Sequence, residues 1–285
     1  MPILMPLLFV FLWSTGFIGA KFGLAHAEPL TFLLTRYLLV ASLMLLVAFA
    51  TRAPWPHEAR RILHIAVTGV LVHGVYLGGV FVAISQGLPA GITSLVVGMQ
   101  PLATALGAGW VLGERVTLRQ WTGLVLGLAG VALLVGSKLG GAPRGELLTM
   151  LLPAVAALAG ITAGTIYQKR FCPHFDLRSG AVIQFTAAAA VTAPIVLAFE
   201  SLRIDWTPDF LFALGWLVLV LSVGAISLLN LLIRQGSAVA VASLFYLTPP
   251  TTALIAWAAF DESLGPVALF GMAVAVSGVY QARRA

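Results

Sequence analysis

Five side chains with chemistry of their own sit deep inside long apolar runs: Trp13, His73, Tyr76, Gln100 and Tyr246. A polar group in hydrocarbon is costly, so such residues turn toward a neighbouring helix or a watery path. Together they offer aromatic rings and neutral hydrogen-bonding groups. A ring pair is worth about 0.5–1.5 kcal/mol beyond area burial, and His73 or Gln100 can satisfy a carboxylate without adding a buried charge. That is the chemistry of recognition: polar ends around an apolar middle suit a molecule with two opposite charges and a side chain. Trp13 forms an aromatic stripe with Phe9 and Phe17 at i−4 and i+4, against the alternative of packing or lipid contact. His73 and Tyr76 share one face of an α-helix, against the alternative of a histidine bonded between helices. Thr93, Gln100 and Thr104 make a further polar stripe, and Tyr246 shares a face with Ser243.

A second group of residues would shape a path. Thr165 with Gln168, and Ser227 with Asn230, are i, i+3 pairs toward one end of their runs, suited to a vestibule wall or to interhelical bonds. Pro101 and the pair Pro249-Pro250 fall within apolar runs. Each proline removes a backbone donor and frees a carbonyl, so a kink is expected there, with or without gating. A substrate ammonium would rest on those carbonyls or on a ring face. Arg36 lies about six residues, roughly 9 Å, inside its run. Snorkelling of its guanidinium to the headgroups is favoured over anion binding.

Absences narrow the chemistry. No Asp or Glu falls mid-run: Glu114, Glu146, Glu200, Asp261 and Glu262 all lie at ends. A carboxylate proton relay and an acidic sodium cage are therefore missing. There is no phosphate-binding P-loop, so ATP drive is not expected, and no zinc-protease or serine-elbow pattern. The single cysteine, Cys172, has no disulfide or metal partner in sequence. No cofactor, metal site or enzymatic activity is expected.

The elements that must position these residues follow from composition. Hydrophobic residues make up 60% of the 285, charged ones 9%, and mean hydropathy is +1.02, where a soluble domain is about 45–50% apolar and 25% charged. The solvent must be lipid. Apolar runs near 3–20, 30–50, 62–85, 91–112, 118–137, 147–168, 179–199, 210–232, 238–260 and 264–281 are each long enough for a helix to cross. The first is read as a span and not a signal peptide, lacking a basic start and a small-residue cleavage site. The net charge of +6 is scattered through short loops, so nucleic acid is not an expected partner. With ten spans, eleven of the 16 Lys and Arg fall in one set of alternate loops and five in the other. The positive-inside rule then puts both termini in the cytoplasm.

Sliding the chain by 148 or 149 residues aligns its halves. Gln86-Gly87 meets Gln235-Gly236, Ser94-Leu95 meets Ser243-Leu244, Pro101 meets Pro249 or Pro250, and Glu114 meets Glu262. Gly123 meets Gly271, Gly130-Val131 meets Gly278-Val279, Gly16 meets Gly164 and Lys21 meets Lys169. The predicted fold is an all-α integral membrane protein of ten transmembrane helices, in two inverted five-helix repeats, 1–141 and 142–285. An odd number of spans per repeat inverts the second copy, which is the arrangement of secondary transporters. Pairs such as Gly123/Gly127 and Gly160/Gly164 let helices approach closely.

Thr93-Ser94-Leu95, Pro101-Leu102-Ala103-Thr104-Ala105, Leu112-Gly113-Glu114, Gln120, Gly123, Gly127 and Gly130-Val131 resemble the repeat of the ten-helix EamA-type proteins of the drug/metabolite transporter superfamily. The second half carries a weaker copy in Ala242-Ser243-Leu244, Pro249, Glu262, Gly271 and Gly278-Val279, with Asp261-Glu262 where the first has Gly-Glu. Trp13-Ser14 resembles the small-residue motif of that family's first helix. The whole chain is most similar to its bacterial amino-acid exporters, in particular the aromatic (YddG-like) ones. The resemblance implies a multi-pass protein of the bacterial inner membrane, a monomer or weak dimer, exporting amino acids or similar small metabolites by alternating access. The alternatives are an exporter of drugs or nucleotide-type metabolites on the same fold and, from another class, a membrane-embedded lipid enzyme. A drug exporter would need a buried acid for its cations, and a lipid enzyme a catalytic group at interface depth; neither stands out.

Overall fold

The computed structural model describes residues 4–88, 90–136, 147–260 and 264–283. Lys138, Arg144, Glu146, Asp261, Glu262 and the expected repeat boundary at 141/142 lie outside them, as do the side chains of Phe17 and Lys21. The regular secondary structure of the described residues is helical, without strands; an isolated bridge joins Ala27 and Ile204.

Each apolar run becomes a helix: α1 (Leu4–Leu24), α2 (Pro29–Ala50), α3 (Ala59–Ser85), α4a (Ala90–Val97) with α4b (Gln100–Val111), α5 (Leu118–Gly136), α6 (Leu147–Phe171), α7 (Leu177–Phe199), α8 (Pro208–Gln235), α9 (238–260) and α10 (Pro266–Arg283). Seven stretches among the described residues are long and apolar enough to span a bilayer, and Leu4–Gly16, Leu118–Leu134 and Pro266–Ala282 are shorter apolar helices. Large apolar side chains such as Leu46, Phe49, Leu152, Phe212 and Phe270 stand exposed on the outside. In water such a surface would drive association; in lipid it is the solvated face.

Two helices change winding midway. Val70–Leu77 in α3 and Leu217–Ala225 in α8 are π-helical, 147 residues apart, with helical backbone on either side. Two others break. The chain leaves α4a at Gly98-Met99, just before Pro101, and α9 passes through a 3₁₀ turn at Leu244–Leu247, just before Pro249-Pro250. Both proline sites thus fall in the first turn of a new helical segment, where the missing N–H has no intrahelical partner to lose. A tight turn at Gly87, with φ +96°, separates α3 from α4a; only glycine adopts that angle without strain.

The loops 24–29 and 199–208 meet at one end of the bundle. Glu200 caps α2 from 170 residues away in the chain, accepting from Leu30 N and Thr31 N, and Glu28 accepts from Ser201 N. A carboxylate at a helix N-terminus satisfies orphan donors and meets the positive end of the dipole. At the opposite end Asp176 caps α7 by accepting from Arg178 N and Ser179 N, and the adjacent Arg178 guanidinium holds its carboxyl below the usual range. Ser179 Oγ donates to Pro54 O there.

Glycine decides the closest packing. A Cβ on Gly123 would stand 2.6 Å from Gly278 O, and one on Gly130 would stand 2.6 Å from Gly271 O, so α5 and α10 touch backbone to backbone. α1 lays Gly16 and Gly19 against Leu221 and Leu217 in the π section of α8. α6 lays Gly160 and Gly164 against Leu71 and Val72 in or beside the π section of α3.

Candidate functional site

Where α1, α2, α3 and α8 converge, a cavity of about 40 Å³ remains, walled by Trp13, Arg36, Tyr76, Phe81, Leu221 and Ile226, with Gly16 between. The winding of α3 and α8 decides which side chains reach it. An i→i+5 helix turns each residue through a smaller angle than an α-helix, and π sections recur at functional sites. Tyr76 turns to Trp13, the two rings stacked at 6.3 Å and 11°. His73 turns elsewhere. It stacks on Phe185 of α7 at 4.1 Å, and its carbonyl accepts from Tyr37 OH at 2.6 Å. The common face expected for His73 and Tyr76 belongs to an α-helix, and the π winding separates them.

The aromatic wall extends through Phe9, 5.2 Å from Trp13, and Phe245, which meets Trp13 edge-on at 5.2 Å. Tyr246, the next residue, is carried away by the 3₁₀ turn and packs over Gly127 of α5, where a Cβ would stand 2.4 Å from its ring. Among the described residues its buried hydroxyl has no hydrogen-bond partner, nor have the two amide atoms of Gln100 or the hydroxyl of Thr104 on α4b. The structure therefore brings Trp13 and Tyr76 together on one cavity and puts His73, Gln100 and Tyr246 at separate positions. Phe245 escaped the sequence reading because only a 3₁₀ turn rotates it inward.

Arg36 corrects an expectation. It does not snorkel to the headgroups: it is 2% exposed, and its Nε donates to Ser222 Oγ at 2.9 Å. The side chain is turned in because α2 buries this face against α7 and α8. The cavity thus carries a fixed positive charge, whereas the sequence reading expected neutral donors alone. One signal could have revealed it: 148 residues on stands Gln184, a polar residue in the middle of an apolar run. Gln184 is also buried, and its side chain lies against the His73 imidazole.

The vestibule candidates are engaged with one another. Gln168 Nε2 donates to Asn230 Oδ1 at 2.9 Å across α6 and α8, and Thr165 Oγ1 donates back to Ile161 O. Ser227 is half-buried. Beyond them Lys169 Nζ lies 3.6 Å from Glu114 Oε1, which also accepts from Ala238 N, and the same ammonium donates to Gly236 O. This knot ties the end of α4b to α6 and to the start of α9. A larger space of about 650 Å³ lies between α4b and α6, walled by Gly107, Val111, Thr162, Ile166 and Phe171. It is an apolar furrow whose rims, Val111 and Phe171, are exposed, and no charged side chain lines it. The smaller, charged cavity is the better candidate site. Among the described residues no group of three or more His, Cys, Asp or Glu could hold a metal ion.

The EamA-like transporter family matches residues 1–136 and again residues 147–283. The uncharacterized inner membrane transporter YedA of Escherichia coli K12 is 28% identical over 94% of this chain and 86% of its own length. A probable amino-acid metabolite efflux pump of the same organism is 25% identical over 97% and 92% of the two chains. A probable terminal-alkyne amino-acid exporter of Streptantibioticus cattleyicolor is 27% identical over 94% and 88%. A crystal structure of another protein superposes with a TM-score of 0.80 over 98% of this chain and 95% of that one at 22% identity, so the two share a fold.

Proposed function

The chain belongs to the EamA-like transporter family, and we propose that this multi-pass membrane transporter exports amino acids, large apolar and aromatic ones foremost, and related small metabolites. It works by alternating access between two inverted five-helix halves joined near 141/142, with ten crossings and both termini cytoplasmic. Two relatives named a probable amino-acid metabolite efflux pump and a probable terminal-alkyne amino-acid exporter support the substrate class.

Packing supports the inverted repeat. Under a shift of 148 residues Gly123 pairs with Gly271 and Gly130 with Gly278, and the contacts made are Gly123 with Gly278 and Gly130 with Gly271. Exchanging the halves regenerates the same contacts, which is the mark of a two-fold axis. The two π sections repeat the relation, one against α6 and the other against α1.

The observation that carries the function is the small cavity where the halves interlock, with Trp13 and Tyr76 on its wall. Pockets that hold small metabolites measure about 300–1,000 Å³, so a cavity of about 40 Å³ must open before a substrate enters. Helices that part at one end while the knot at Lys169 and Glu114 holds the other give alternating access. No acidic residue falls in the middle of an apolar run, so movement down the substrate's own gradient is expected, with His73 as the one titrating candidate.

Counterflow of a labelled amino-acid panel in proteoliposomes, with and without a pH gradient, tests this. Phenylalanine should exchange faster than alanine, and the pH gradient should leave the rate unchanged. Trp13→Ala should lower phenylalanine exchange more than alanine exchange. Exchange of no amino acid defeats the substrate reading, and proton-driven accumulation that survives His73→Ala defeats the coupling reading.

A further inference from the structure

Arg36 is a full cation in the second turn of a membrane-spanning helix, 2% exposed, and among the described residues its hydrogen bond is the one to Ser222 Oγ at 2.9 Å. None of the described acidic side chains makes an ion pair with it. Glu200, which caps the same helix, is occupied: one carboxylate oxygen accepts from Leu30 N and the other from Thr31 N and Thr31 Oγ1. The remaining cavity wall is Trp13, Tyr76 and aliphatic or phenyl groups. Removing a charge from water costs several kcal/mol unless a partner and further hydrogen bonds replace the lost solvent. The usual escape, extension along the helix to the headgroups, has not been taken. A guanidinium held in this way lacks an anion.

We propose that Arg36 is the recognition point for the carboxylate of the transported molecule, and that the substrate class is a monocarboxylate with an apolar or aromatic body, zwitterionic amino acids included. This rests on the transport reading and narrows it. The Nε–H is committed to Ser222, which fixes the plane of the guanidinium. The terminal N–H groups remain for a carboxylate, whose two oxygens match them pairwise. The body then lies along Trp13 and Tyr76, and an ammonium, where present, meets a ring face. One fixed positive charge balances one carboxylate; a phosphate dianion would leave an unpaired charge in an apolar cavity, and a cationic amine would be repelled. Ser222 is a positioning residue. At the position 148 residues on, Gln184 is neutral, so recognition of the anion belongs to the first half alone.

The test is competition for L-phenylalanine counterflow by phenylpropionate, which has the carboxylate without the ammonium, by phenethylamine, which has the reverse, and by phenyl phosphate. It is run on the wild type, Arg36→Gln, Arg36→Lys and Ser222→Ala. In the wild type phenylpropionate should compete and the other two should be weaker by about 10- to 100-fold, the range of a hydrogen bond to a charged group. Arg36→Gln should abolish that preference, Arg36→Lys should keep part of it because a point charge replaces the fork, and Ser222→Ala should weaken it less than Arg36→Gln. Equal competition by phenylpropionate and phenethylamine in the wild type, or an unchanged preference in Arg36→Gln, overturns the proposal while phenylalanine counterflow still upholds the exporter. Phenylpropionate transport that needs Arg36, with no phenylalanine transport, upholds the proposal and removes the amino-acid reading. If Arg36→Gln yields no folded protein, the melting temperature of the wild type in detergent decides. A rise with phenylpropionate but not with phenethylamine supports the anchor, and equal rises or none refute it.

Discussion

Arg36 in α2 and Gln184 in α7 are 148 residues apart and both are buried polar residues within apolar helices, yet their surroundings differ. Arg36 reaches Ser222 in the π section of α8 and borders a cavity. Gln184 lies against His73 in the π section of α3, where Tyr37, His73 and Phe185 fill the space with rings 4.1–6.3 Å apart. On the inverted repeat proposed above, these are one helix junction built twice, once around a charge with room beside it and once packed with neutral rings. The proposed repeat supplies two equivalent stations, and on the proposed assignment of Arg36 the side chains decide which one takes a ligand.

The largest effect expected from this contrast is the cost of a charge in the closed station. Gln184→Arg should destabilise the protein by about 3–5 kcal/mol, the loss that follows an uncompensated buried charge. Arg36→Gln, which removes such a charge, should melt at or above the wild-type temperature in detergent without substrate. Equal melting losses for the two variants would break the contrast.

Next are the glycines. Gly130→Ala and Gly278→Ala place a Cβ 2.3 Å from backbone nitrogens of Ala275 and Gly127, atoms that cannot step aside. Each should cost about 1–3 kcal/mol by overpacking, with equal losses of folded protein on size exclusion. Gly16→Ala meets the Leu221 side chain, which can rotate, at the cavity wall. It should keep its melting temperature and lose transport. Similar melting losses at Gly16 and Gly130 would show that the cavity junction is as rigid as the α5–α10 seam.

Tyr37→Phe removes the hydroxyl that donates to the His73 carbonyl at 2.6 Å. The expected cost is about 1 kcal/mol, seen in the melting temperature while the KM for phenylalanine stays unchanged. A raised KM would place substrate in the second station as well. The smallest effect belongs to Glu114→Gln at the end knot, where the ion pair with Lys169 is partly exposed. A loss of about 0.2–1 kcal/mol is expected, and it should shrink as salt is raised. A salt-independent loss would assign the effect to the Ala238 amide bond instead.

Much of the molecule was legible in the sequence for simple reasons. The apolar runs near 30–50 and 179–199 became Pro29–Ala50 and Leu177–Phe199 because the length of a hydrocarbon crossing is written directly in the number of apolar residues. Membership of the family was legible too, since motifs such as Leu112-Gly113-Glu114 and Gly130-Val131 sit at a spacing that two matched halves share. Trp13 and Tyr76 were recognisable as rings suited to a pocket. Which rings would meet was not. The π sections and the 3₁₀ turn change the angle per residue, so Tyr76 parts from His73 and Phe245 takes the direction expected of Tyr246.

By itself, then, the sequence determined the solvent, the helices and the family, because these depend on how many apolar residues follow one another and on short motifs read along the chain. Only the tertiary structure decided the fate of Arg36. A lone arginine near a helix end has a cheap local route to the headgroups, and one helix considered alone favours it. The route is closed because α2 packs that face against α7 and α8, and Ser222, 186 residues away, holds the guanidinium inward.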